Sequence, residues 1–187
     1  MNFRLAGRAW LSLPLLFAIL LLAPVTFLRA APSDTLDASQ DMAVSQILNG
    51  ILSYARWPAG TLEGDTLRLC LIGSPRHAEF LGYHSAIIDG RRIVVERKTP
   101  ADLPGTCNAL YTGALDNAER DTMVRNVVGK PVLVISERGE SCSVASMFCL
   151  TAVDRRVTFE INLDAVARSG IRIHPSVLKL ARPQVRP

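Results

Sequence analysis

Two periods run through the apolar positions of this chain, and their succession predicts an order of elements. Val44, Ile47, Leu48, Ile51, Leu52 and Ala55 follow the i, i+3, i+4, i+7, i+8, i+11 spacing of one helical face. Asp37 or Ser39 is placed to accept from the free amides at the start of that helix. Trp57-Pro58 ends it, because proline disfavours helical backbone in the residue before it. "LRLCLIG", residues 67–73, then reads as a buried strand closed by a turn. Residues 75–81 suggest a short helix with Pro75 in its first turn.

"RRIVVERK" alternates as a second strand and "NALYTG" is a short third. Residues 115–128 form an amphipathic helix ended near Gly129, and "PVLVISE" is the most strand-like run in the chain. "VTFEIN", residues 157–162, is a further strand. Asn162 caps a helix over residues 163–169, Gly170 supplies the left-handed residue that ends it, and Pro175 opens a last helix to Ala181. Strands separated by helices predict an α/β class: one domain, a mostly parallel sheet with helices on both faces. The later strands, "PVLVISE" and "VTFEIN", follow each other without a helix and are expected to make an antiparallel edge hairpin.

The N-terminus changes the compartment. Arg4 and Arg8 precede an uncharged run over residues 9–28, which reads as an export signal, with cleavage expected near Ala30. Residues 1–30 are thus expected to be a signal peptide and residues 31–187 the working domain, with 31–35 as a short mobile lead-in. Losing Arg4, Arg8 and Arg29 lowers the formal charge from +4 to +1. No lysine or arginine run in the remainder resembles a phosphate-tracking stripe, so a nucleic-acid partner is not expected.

In an oxidising compartment the four cysteines, Cys70, Cys107, Cys142 and Cys149, are expected to form two disulfides, with three pairings open. Local geometry favours Cys70 with Cys107, on neighbouring strands, and Cys142 with Cys149, across a loop that can fold back. His77, His84 and His174 are all remote from the cysteines and no C-x-x-C occurs, which argues against a metal site or a catalytic thiol.

A search for catalysis finds no G-x-S-x-G, G-x-G-x-x-G, P-loop or H-E-x-x-H. His84, Ser85 and Asp89 are too close in sequence for a triad, whose members converge from separate elements. Glu160 and Asp164, near a strand-to-helix junction, read as helix-dipole partners. A binding module without cofactor is the expectation. Phe148, beside Cys149, is either an exposed interface anchor or a core residue.

The segments "ILNGILSYARWP", "SMFCL" and "FEINLDAVARSGIRIHPSVLKLAR" closely resemble the YfiR family, and the match covers essentially all of residues 31–187 with all four cysteines. Relatives often carry Thr where this chain has Ala55, a position on the helical stripe. The resemblance implies a periplasmic repressor, a homodimer, that binds the periplasmic domain of the diguanylate cyclase YfiN (TpbB) and lowers cyclic di-GMP output. It implies an opposing outer-membrane lipoprotein, YfiB, and a functional fold that depends most on Cys142–Cys149. Family partner surfaces fall here on Phe148, Glu160, Val166 and Arg168. An alternative expectation is a small-molecule sensor with a pocket near Trp57, Tyr83 and His174.

Overall fold

A computed structural model of the chain describes residues 32–81, 87–103, 105–139, 142–153 and 156–180. The expected signal peptide, Tyr83, His84 and Ser85 lie outside these residues. No helix among the described residues is long and apolar enough to cross a membrane.

The first helix, α1 (Pro32–Tyr54), begins well before the expected cap. Asp37 and Ser39 therefore lie inside it rather than at its start, and residues 32–35 are helical rather than a loose lead-in. The reason is that nothing between Pro32 and Val44 breaks a helix, and proline is tolerated in a first turn. The predicted stripe does face the core: Val44, Leu48, Ile51, Leu52 and Ala55 are buried. Each such side chain contributes about 1.5–3 kcal/mol by leaving water, Ala55 less.

After α1, the two-residue strand β1 (Ala55–Arg56) pairs antiparallel with β9 (Arg172–Ile173). The main sheet contains β2 (Thr66–Ile72), β3 (Ile87–Ile88), β4 (Arg91–Lys98), β5 (Ala109–Thr112), β6 (Leu133–Glu137), β7 (Phe148–Val153) and β8 (Arg156–Ile161). Their spatial order is β3-β4-β2-β5-β6-β7-β8. The five central strands are parallel, and both edge strands run antiparallel to their neighbours.

Alternation along β2 sends Leu67, Leu69 and Leu71 to one side and Cys70 and Ile72 to the other. The first side packs on α1 and on Ala165 of α3 (Leu163–Ser169), and the second packs on Met123 and Val127 of α2 (Asn117–Val127). Helices thus cover both faces, which is why β5 and β6 are buried along their whole length.

Three further expectations need correction. "PVLVISE" and "VTFEIN" are not partners, because β7 lies between them, parallel to β6 and antiparallel to β8. The edge hairpin is β7–β8. Residues 75–81 yield only a 3-10 turn, Glu79–Leu81, and Pro175 opens another, Pro175–Lys179, in place of full helices. The cap at α3 matches its expectation: Asn162 Oδ1 accepts from the Ala165 amide at 3.0 Å and Gly170 has φ 74°.

The strand order reverses at β2. The chain leaves β2 for β4 on one side and then returns to β5 on the other. Beyond their carboxyl ends the two exit loops meet backbone to backbone, and a Cβ at Gly113 would overlap the Pro75 backbone. That contact fixes the loop that carries Arg76 and His77. In open α/β sheets the crevice at such a reversal is where ligands bind.

Candidate functional site

Both disulfides form as local geometry suggested. Cys70–Cys107, Cα atoms 5.9 Å apart, is buried between β2 and the entry to β5. Cys142–Cys149, Cα atoms 5.7 Å apart, closes a short loop into β7. Hydroxyls hold that loop from beneath. Thr112 Oγ1 donates to Ser136 Oγ at 2.7 Å, the Ser136 and Ser146 hydroxyls are 2.7 Å apart, and the Ser143 amide donates to Ser146 Oγ at 3.0 Å. Ala145 and Met147 point inward, while Val144 at the turn is 66 % exposed.

Around this loop the structure brings together some of the expected contact residues. Glu160 lies opposite Cys149 in the β7–β8 register and pairs with Arg138, whose Nε donates to Thr151 Oγ1 at 2.6 Å. Arg168 of α3 donates from Nη2 to the Val144 carbonyl at 3.2 Å. Val166 is partly buried against the first core. Phe148 is the core residue of its two alternatives: it is fully buried, its ring edge-to-face on Phe159 with centroids 5.5 Å apart. The exposed apolar side chain of the loop is instead Val144, which with Val128 and Arg168 lines a shallow depression.

A second feature lies under α1, at the carboxyl ends of β5 and β6. It is a cavity of about 540 Å³ with Asp37, Gln40, Arg76, His77, Tyr111 and Glu137 in its lining. Glu137 ends β6, and its side chain is only 9 % exposed. Its Oε1 accepts from the Tyr111 hydroxyl at 2.8 Å and from the His77 amide at 3.0 Å. His77 Nδ1 is 2.7 Å from Asp41 Oδ1 on α1. Burial, and next the Glu137 carboxylate, push the Tyr111 hydroxyl far above its ordinary range, so it stays protonated and donates. The cluster meets the requirement that buried polar groups be partnered. It also ties α1, the β2 exit loop, β5 and β6 into one unit.

This cavity is not the pocket expected from sequence. Trp57 donates from Nε1 to the Asn108 carbonyl at 3.1 Å, and His174 stacks on Tyr54 with centroids 6.0 Å apart, so both are engaged in packing. Of the local run near Ser85, Asp89 pairs with Arg56 at 3.0 Å. Among the described residues no group of His, Cys, Asp and Glu is arranged to hold a metal ion. Asp41, Arg76, His77, Tyr111 and Glu137 escaped the sequence reading. One signal was available: "SPRH" follows a buried strand and "SER" ends one, which places polar residues at strand carboxyl ends.

A family model described as YfiR/HmsC-like matches residues 42–182, from α1 to beyond the last described turn. That span includes the stapled loop, both disulfides and all of the sheet. Its members are periplasmic regulators of diguanylate cyclase signalling, a regulatory rather than a catalytic family. The chain belongs to the YfiR/HmsC-like family.

Proposed function

We propose that this protein represses an inner-membrane diguanylate cyclase of the YfiN (TpbB) kind by gripping its periplasmic sensor domain with the face around the Cys142–Cys149 loop. The observation that carries this reading is Val144, an apolar side chain 66 % exposed on a loop closed by a disulfide and braced by buried hydroxyls. Exposed apolar groups on rigid supports make interface anchors, since little entropy remains to be lost on binding. Arg168, which donates to the Val144 carbonyl, and Glu160, opposite Cys149 on β8, supply charged groups to this face, Val166 lies in the same helix as Arg168, and Phe148 acts from beneath by fixing the start of β7.

Repression follows if this face prefers one cyclase conformation. Only a difference in affinity moves such an equilibrium, and turning it from mostly on to mostly off takes roughly 5.5 kcal/mol. The working unit is proposed to be a homodimer in the periplasm, reached after removal of residues 1–30. The lipoprotein YfiB relieves repression by sequestering it, and reduction of Cys142–Cys149 relieves it by loosening the face.

The test is binding to the cyclase's purified periplasmic domain, measured by calorimetry. Val144→Asp and Arg168→Ala are expected to weaken it at least about tenfold. Ile87→Asp, which alters an apolar side chain 75 % exposed on the far edge strand, leaves it unchanged. Equal losses from all three, or none from Val144→Asp, would refute the assignment of this face. A second reading, that the domain also senses a small molecule, is favoured by the cavity under α1.

A further inference from the structure

We propose that the outer edge of β8 is where two copies of this chain join, antiparallel about a two-fold axis at Thr158, with Arg156 of each copy opposite Glu160 of the other. The inference rests on the homodimer reading above, which it deepens by naming the contact, and it does not depend on the cyclase contact made by Val144.

The two edges of the main sheet differ in what they offer. At one end β3 is two residues long, whereas β8 at the other runs for six residues without a proline, and no bulge interrupts its register against β7. Such an edge presents a row of unpaired N–H and C=O groups, which native sheets blunt, cover or pair. The phase of the ladder shows which groups are free. The Asn162 amide donates to the Met147 carbonyl at 2.9 Å, so in this register Arg156, Thr158 and Glu160 exchange their backbone bonds with β7. Val157, Phe159 and Ile161 therefore point theirs outward, and among the described residues no backbone group pairs with them.

Charge then selects the occupant and its register. Arg156 and Glu160 are exposed, carry opposite signs and stand symmetrically on either side of Thr158. Among the described residues Arg156 has no ion-pair partner. Two copies centred on Thr158 set each Arg156 against Glu160 of the other and threonine beside threonine, both favourable cross-strand pairs. Glu160 meets Arg138 of its own copy through Oε1, which leaves Oε2 for Arg156 of the second. Val157 and Phe159 exchange backbone bonds with Phe159 and Val157 across the axis, and Phe159, only partly buried within its own copy, gains cover. Moving the axis to Phe159 leaves both charges unmatched, and moving it to Glu160 brings the two carboxylates face to face. Only the Thr158 register is complementary. The contact is isologous, closes as a dimer and joins the two seven-stranded sheets into one.

The experiment is sedimentation equilibrium of the purified mature protein with charge-reversed and cysteine variants of β8. Arg156→Glu and Glu160→Arg are each expected to weaken the dimer at least about tenfold, since the two-fold axis makes every reversal act twice. The double variant, Arg156→Glu with Glu160→Arg, restores complementarity and is expected to recover the dimer, a rescue that the Arg138–Glu160 pair within one copy does not predict. Under mild oxidation Thr158→Cys is expected to give a disulfide-linked dimer, with peptide mass analysis confirming the site, because Cβ atoms of directly opposite residues lie about 4.5–5.5 Å apart. Arg156→Cys, whose copies lie far from each other across the axis, is expected to stay unlinked. A protein that remains monomeric at every concentration overturns both the homodimer reading and the proposal. A dimer that tolerates both reversals and gives no Thr158→Cys cross-link keeps the homodimer and overturns this contact.

Discussion

Cys70–Cys107 and Cys142–Cys149 span sequence separations of 37 and 7, and they sit in opposite surroundings. The first lies inside the α2 side of the core, both of its cysteines buried among Ile72, Leu103 and Leu110. The second is half-buried at the mouth of a loop whose turn residue, Val144, faces solvent. The core pair supports elements that packing already holds. The surface pair fixes a segment, rich in small polar residues, that few apolar contacts would hold. One bond therefore supports the fold, and the other supports a shape on its surface.

The sharpest way to break this comparison is selective reduction. A mild reductant is expected to open Cys142–Cys149 while Cys70–Cys107 survives until the domain unfolds, since exchange requires thiolate access to sulfur. Alkylation of the freed thiols followed by peptide mass analysis reads this directly. Simultaneous loss of both bonds would mean that the two regions are not separately protected.

Next in size are the replacements. Urea unfolding of Cys70→Ala with Cys107→Ala is expected to show a loss of about 4 kcal/mol from loop entropy alone. Cys142→Ser with Cys149→Ser is expected to lose about 2.5 kcal/mol. If the surface pair proves the costlier, it supports the global fold more than its burial implies.

The smallest effect sharpens the comparison from the cavity side. Tyr111→Phe leaves the buried Glu137 carboxylate short of one donor and is expected to cost about 1–3 kcal/mol at pH 7. The folded state holds the Tyr111 proton above the ordinary value of 10.0. Its stabilising contribution is thus complete below pH 10.0 and lost as pH rises beyond it, at up to about 1.4 kcal/mol per pH unit. Tyr111→Phe removes that part of the alkaline slope, which urea midpoints at a series of pH values detect.

How far the sequence was legible depends on the range of the interaction. The stripe from Val44 to Ala55, the strand runs and the Asn162 and Gly170 caps were readable because each is a local pattern. Strand β7 was missed: its period-2 alternation is short, and it follows a polar loop that draws attention to the cysteines. Phe148 illustrates a different limit. Both alternatives fit its neighbours in sequence, and only the packing of β7 against β8 put its ring on Phe159.

The cavity was invisible for the same reason on a larger scale. Asp41, His77, Tyr111 and Glu137 belong to four separate elements, and the hydrogen bonds that join them cross 26 to 60 positions. None of these residues stands out locally, because Asp41 reads as the polar side of a helix and Glu137 as a strand end.

By itself the sequence determined the α/β class, the period and order of most elements, and the likeness of the chain to its family, since all of these are written in neighbouring residues. Tertiary structure alone decided which strands are partners, which face of β7 is buried, and where carboxylates converge under α1. Those outcomes depend on strand order and on the meeting of loops at Gly113 and Pro75, and such long-range closure leaves no repeat in the chain from which it can be read.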